Sequence, residues 1–404
     1  MSRFKKQVPN SVQNESLHFQ NIIKPLYIVM SLLGLFPYSV NFVKNKHGFD
    51  IIPRSIYANS LCGVTVCLLI FAFLALHIQE VLLSSESINL TEALMTQINY
   101  VLELLTLITF SVVAYVCAFL NRTKYVKMLN QITSSWYDLP ANNNSANLLK
   151  NLRFQVNVVC MGSLLVIVIL QVSVNYTRDN SFWKMILVTF TFNLPQMVQF
   201  VTLAFFYILV MMVVALMTNI RWHCQLLKNT NTLDGFIQVQ NRPSLTLRQM
   251  ELLYIKVFEI KTNINEAFQG PILITTLQCF HSMVSESHII YHGLVVHKSI
   301  TTHEIMNCSI WIMYQIWKIY CIAYSGHLLK LQALKLGQIL HNIPTEKHDS
   351  RWLMEIQHFS TLMYYQDIEL TVYDYFPLNA TLIYNTMASA TMYLIILVQF
   401  DMRD

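Results

Sequence analysis

Four residues of one apolar stretch, His281, Ser285, His288 and His292, recur at the spacing that puts them on one face of a helix. Imidazoles in such a row serve as proton relays, general bases or metal ligands. Glu286 adds a carboxylate beside them. The next apolar stretch carries Lys318, preceded by Trp311, Tyr314, Gln315 and Trp317. Charged groups inside a bilayer cost about 2.5–3.5 kcal/mol each on insertion scales, so they face a bundle interior or a wet cavity and find partners there. Glu286 and Lys318 fall at similar predicted depth, so they are expected to pair or to share a hydrated pocket. His281, Ser285, Glu286, His288, Trp311, Tyr314, Gln315 and Lys318 together form the candidate wall of a small-molecule pocket, aromatic surface with a few polar groups. Packing histidines and interfacial tryptophans are the competing reading of the same residues. His288 and His292 have metal-ligand spacing but no third ligand, so no metal site is expected. Neither a His-Glu-x-x-His nor a Gly-x-Ser-x-Gly motif is present, and no catalytic residue or cofactor is expected. Glu103, near the end of an earlier apolar stretch, reads as a solvated boundary residue.

The elements that must position these groups are long and apolar. Of 404 residues, 54% are hydrophobic and 12% charged, against about a quarter charged in an ordinary soluble domain. Mean hydropathy is +0.43. This composition points to a bilayer as the solvent for much of the chain. Seven spans are predicted: Ile56–Ile78, Asn99–Leu120, Val156–Val174, Ile186–Met217, Gln269–Val295, Ser309–Leu329 and Thr381–Phe400. Residues 1–25 form a polar N-terminal segment. Residues 26–43, broken by Gly34 and Pro37, are a re-entrant or marginal membrane segment. Residues 56–329 make a six-span bundle with a loop at 218–268. Residues 330–380 continue as anchor helices, with Leu329, Ala333, Leu336, Leu340 and Ile343 at helical spacing. Residues 381–404 hold the last span and a short tail. The fold class is therefore all-α, a polytopic helical bundle.

Lys and Arg set the orientation. With a cytoplasmic N-terminus and seven alternating spans, only Arg178, Lys184, Lys298 and Arg403 fall outside. That bias predicts an extracellular C-terminus. Asn89, Asn175 and Asn307 begin Asn-x-Ser/Thr triplets in predicted outer loops and are glycosylation candidates. The eight cysteines show no paired spacing and read as small apolar core residues. The net charge of +5 comes without any basic cluster interleaved with aromatics, so no nucleic-acid partner is expected.

The last span ends Thr391-Met392-Tyr393-Leu394-Ile395-Ile396-Leu397-Val398-Gln399-Phe400. It resembles the insect gustatory receptor signature of Thr-Tyr, five hydrophobic residues and Gln-Phe. Tyr393, Gln399 and Phe400 match, while Thr391 stands one place early and Met392 takes its usual position. Phe376-Pro377-Leu378-Asn379 and the Ser31–Pro37 stretch are similar to other parts of the family pattern. The resemblance implies a taste receptor of sensory-neuron plasma membranes that acts as a non-selective cation channel. It would be gated by a small-molecule tastant, bitter or pheromone-like. It further implies a homo- or heterotetramer with other gustatory receptors. Four last spans would line the pore, with Ile395, Ile396, Gln399 and Phe400 at its narrow part. A membrane enzyme or transporter using the His and Glu residues of the fifth span is the alternative.

Overall fold

The computed structural model describes residues 22–45, 48–84, 92–140, 143–165, 168–169, 182–232, 245–296, 300–343 and 350–401. Among these, a short helix α1 (Ile22–Leu32) leads to a hairpin of β1 (Ser39–Asn45) and β2 (Gly48–Ser55). Then come α2 (Tyr57–Ser84), α3 (Glu92–Leu120), α4 (Arg122–Asp138) and α5 (Asn143–Val156). After α6 (Phe182–Val188) follow α7 (Leu194–Thr232), α8 (Leu247–Tyr291), α9 (Thr302–His341) and α10 (Ser350–Tyr365). A two-residue hairpin, β3 (Thr371–Val372) with β4 (Phe376–Pro377), precedes α11 (Ala380–Asp401).

Segment 26–43 is divided between α1, a turn and β1. At about 1.5 Å per residue, α1 is too short to cross a ~30 Å hydrocarbon core. Gly34 makes the turn at φ 71°, a conformation open to glycine. A side chain there would also collide with the backbone of Gly63 on α2. The turn is held by Asn59 Nδ2, which donates to the carbonyls of Phe36 (2.8 Å) and Tyr38 (3.1 Å), and by Tyr115, whose hydroxyl donates to Leu33 (2.8 Å).

Four of the described helical stretches are long and apolar enough to cross a membrane: Tyr57–Gln79, Val101–Leu120, Ile186–Leu227 and Ala380–Gln399. Their environments differ sharply. In the most apolar 18 residues of Ile186–Leu227, 94% of the residues are buried within the chain, against 17% in Ala380–Gln399. So α7 is the central post of the bundle, and α11 is an apolar helix that its own protomer leaves largely uncovered. Helices α8 and α9 also cover the predicted fifth and sixth spans, and much of Val156–Val174 lies outside the described residues.

Helices α7, α8 and α9 contain 39, 45 and 40 residues. Each is about twice the length that a bilayer core requires, so each has a portion beyond it. Helix α4 runs antiparallel to α8, joined by Lys124–Glu266 (2.6 Å), Lys127–Glu259 (2.7 Å) and Asp138–Lys256 (2.7 Å). These pairs are partly exposed, worth about 0.2–1 kcal/mol each and screened by salt. The Lys127 hydrogen bond holds the Glu259 carboxyl below its ordinary value of 4.5. Its contribution is therefore present above that value and lost as pH falls through the lower folded one. Lys127→Ala is expected to lower the unfolding temperature slightly at low salt and not at all in 1 M salt, measured by thermal unfolding in detergent.

The chain after α10 is strapped onto α8. Tyr254 donates to the Gln366 carbonyl (2.7 Å), Lys261 to the Asp367 carbonyl (3.3 Å), and the Thr371 N–H to Asn265 Oδ1 (3.0 Å). Lys330 of α9 pairs with Glu369 (2.8 Å), which also accepts from Asn379 Nδ2 (3.4 Å). Asn379 Oδ1 in turn caps α11 by accepting from the Thr381 N–H (2.9 Å). Just above, the Leu378 carbonyl lies so close to Gly326 of α9 that no side chain fits between them.

Candidate functional site

Helices α3, α7, α8 and α9 enclose a two-tiered polar cluster. In the upper tier, Glu103 of α3 is 6% exposed. Its Oε1 accepts from Ser282 Oγ (3.1 Å) and from Trp311 Nε1 (3.2 Å). Trp311 Nε1 also lies 2.9 Å from Ser282 Oγ, and Gln315 Nε2 donates to the same hydroxyl at 3.2 Å. In the lower tier, Lys318 Nζ donates to Gln199 Oε1 and to Gln278 Oε1, each at 2.9 Å. Gln199 Nε2 reaches Gln278 Oε1 (3.3 Å) and Thr275 Oγ1 (3.4 Å). The Tyr314 ring centroid is 4.8 Å from Lys318 Nζ, a cation–π contact.

Local sequence explains why these groups meet. Ser282 and Gln278 are one turn apart on α8, as are Gln315 and Lys318 on α9, so antiparallel packing stacks the tiers. A π-helical turn at Thr189–Asn193 precedes α7. Such turns advance the register by a residue and often mark functional sites. This one sets Thr191 Oγ1 2.8 Å from His77 Nδ1 and the Phe192 ring 5.7 Å from Trp311. Trp311 and Tyr314 are themselves 5.5 Å apart. An aromatic wall thus runs beside the polar tiers.

Of the sequence-predicted pocket residues, Trp311, Tyr314, Gln315 and Lys318 belong to this cluster. Glu286 does not pair with Lys318; the Cys308 thiol is its hydrogen-bond partner. The reason is the start of α9. A capping box at Thr301, whose Oγ1 accepts from the Glu304 N–H (3.3 Å) while Glu304 Oε2 accepts from the Thr301 N–H (2.9 Å), begins the helix well before Ser309. Lys318 is therefore deeper than Glu286 by about two turns. Ser285 and His288 are buried, and the His288 and His292 rings are 5.7 Å apart. His281 Nδ1 is buried without a hydrogen-bond partner.

Four important residues escape the sequence reading: Glu103, Gln199, Gln278 and Ser282. Glu103 was expected at a solvated boundary and is instead a buried acceptor. Gln196 and Gln199 one turn apart in the most apolar stretch of the chain were the available signal. Amides are costly in hydrocarbon unless they are bonded to one another.

At the last span, Met392, Tyr393, Ile395, Ile396 and Gln399 are all exposed in the protomer. Tyr393 leans toward its own bundle, with its ring 6.1 Å from Phe280. Thr391 Oγ1 donates to the Met387 carbonyl (2.9 Å). The side chain of Phe400 lies outside the described residues, as do Asn89 and Asn175. Asn307 lies within α9, its amide 3.3 Å from His303 Nδ1.

The fold is similar to two structures of the insect olfactory receptor OR5 from Machilis hrabei. The first has a TM-score of 0.71 at 13% identity, covering 96% of this chain and 100% of the other. The second, OR5 in complex with eugenol, has a TM-score of 0.74 at 12% identity with the same coverage. No curated protein matches the sequence. The profile of the 7tm chemosensory receptors matches residues 23–404. The chain belongs to the 7tm chemosensory receptor family, which is a family of receptors and not of enzymes.

Proposed function

We propose that this protein is an insect gustatory receptor of sensory-neuron plasma membranes and works as a small-molecule-gated, non-selective cation channel. Seven spans, a cytoplasmic N-terminus and an extracellular C-terminus are part of this reading. Four subunits, identical or mixed with other gustatory receptors, surround one pore. The observation that carries it is the contrast between two apolar helices. Helix α7 is sealed inside its protomer, while α11 is not, and an apolar helix left open needs lipid, a neighbouring subunit or a pore axis against it. Its exposed face carries Met392, Ile395, Ile396 and Gln399 at helical spacing. Apolar rings of this kind gate by dewetting, with a polar residue near the mouth. The family supports the chemosensory role, and the likeness to OR5 supports the architecture.

The ligand site in this reading is the tiered cluster of α3, α7, α8 and α9. Its polar lining favours a hydrogen-bonding tastant of the bitter class over an apolar pheromone. The test is whole-cell current from cells that carry the chain on their surface, alone and with related receptors, during a screen of bitter compounds. The expected result is a fast cation current that persists when G proteins are blocked. A response that vanishes with that block removes the channel reading.

A further inference from the structure

We propose that the tiered cluster binds a small zwitterion, a free amino acid, with its carboxylate toward Lys318 and its ammonium toward Glu103. This rests on the ligand-site reading above and narrows it to one chemical class.

Glu103 and Lys318 are 6% and 4% exposed, yet no ion pair joins them. The carboxylate is met by neutral donors, Ser282 and Trp311. The ammonium is met by the neutral acceptors Gln199 and Gln278 and by the Cys279 sulfur. Buried charges normally pair directly, because a separated pair forfeits most of its mutual attraction while both ions stay desolvated. Here they stand on adjacent tiers: their partners Ser282 and Gln278 are about one helical turn, roughly 5.4 Å, apart along α8.

The unused hydrogen-bonding groups sort by charge. Beside Lys318, Gln278 Nε2 and the Tyr314 hydroxyl are buried without partners, both able to donate. Beside Glu103, Gln315 Oε1 is a buried acceptor without a partner. Gln196, 1% exposed, has both amide atoms unpaired. Unpaired donors thus lie beside the cation and an unpaired acceptor beside the anion, which is the complement of a dipolar molecule. A lone amine would satisfy Glu103 and leave the Lys318 charge uncompensated, and a lone acid would do the converse. A zwitterion answers both charges and adds none. The rings of Phe192, Trp311 and Tyr314 offer an apolar side chain its place.

The experiment is thermal unfolding of the purified full chain in lipid nanodiscs with each proteinogenic amino acid and with γ-aminobutyric acid. Methyl esters and N-acetyl derivatives of any that bind are measured next. The expected result is an upward shift in Tm with one or more free amino acids. Each cap should weaken binding on the order of ten- to a hundredfold, as loss of a charge-assisted hydrogen bond does. In Glu103→Gln, N-acetylation should no longer matter while esterification still does, which a merely structural role for Glu103 would not produce. Stabilisation by no free amino acid, or equal stabilisation by free and capped forms, overturns the proposal. The capping series needs only the native protein, so it stands if the variant does not fold. Binding is read without current: failure here leaves the channel reading intact, and binding without any gated current counts against the channel and not against the zwitterion.

Discussion

Lys318→Ala is expected to destabilise the folded protein by about 2–5 kcal/mol and to remove most of it from the cell surface. The side chain is buried and satisfies two amide oxygens at once, those of Gln199 and Gln278. Truncation leaves Gln199 Oε1 without its donor, at about 1–3 kcal/mol, while Gln278 Oε1 keeps only the longer bond from Gln199 Nε2 (3.3 Å). It also strips Glu103 of its nearby cation. Lys318→Gln restores one donor and should recover part of the loss. Thermal unfolding in detergent together with surface labelling would measure both. A Lys318→Ala protein as stable as the native one would mean that water reaches the cluster freely.

Gly326→Val is the second large effect, and it acts at the joint between α9 and the last helix. Any side chain at Gly326 collides with the Leu378 carbonyl oxygen and crowds its Cβ. Backbone cannot yield as a side-chain tip does, so α9 must part from the segment leading into α11. Overpacking of this kind costs about 1–3 kcal/mol. It should also strain the Lys330–Glu369–Asn379 bridge that caps α11. The expected phenotype is protein that reaches the surface in reduced amount and responds weakly per molecule. Gly337→Ala is the control, because its added methyl meets only the Met363 terminal carbon at 3.6 Å. It should be neutral or slightly stabilising, since alanine favours a helix over glycine by up to about 1 kcal/mol. Equal effects from the two substitutions would remove the close approach as the cause.

The bundle itself was legible because hydrophobic runs of membrane length leave little choice of structure. The C-terminal motif was legible because its residues are contiguous. Partners across the bundle were not. Glu286 and Lys318 read as level only with the sixth span starting at Ser309. The capping box at Thr301 and Glu304 was readable and would have lengthened that helix and separated them. Glu103 reads as solvated when its span begins at Asn99, whereas α3 begins at Glu92, and only the fold places Ser282 and Trp311 against it. Amides such as Gln199 and Gln278 carry no charge to draw attention, yet they hold the only ammonium buried in the cluster. The N-terminal segment was apolar enough to suggest membrane, while the alternation at Val40 and Phe42 that makes a strand is brief and easily lost beside it.

Cysteine accessibility along α11 would show whether this helix lines a pore. Single cysteines at Met392, Ile395, Ile396 and Gln399, and at Tyr393 and Leu394 for comparison, would be exposed to a charged thiol reagent during ligand-evoked current. Block is expected at the first group, faster with ligand present, with little block at Tyr393, which leans on Phe280. Block that shows no helical periodicity, or none at any position on this helix, would contradict a pore-lining α11.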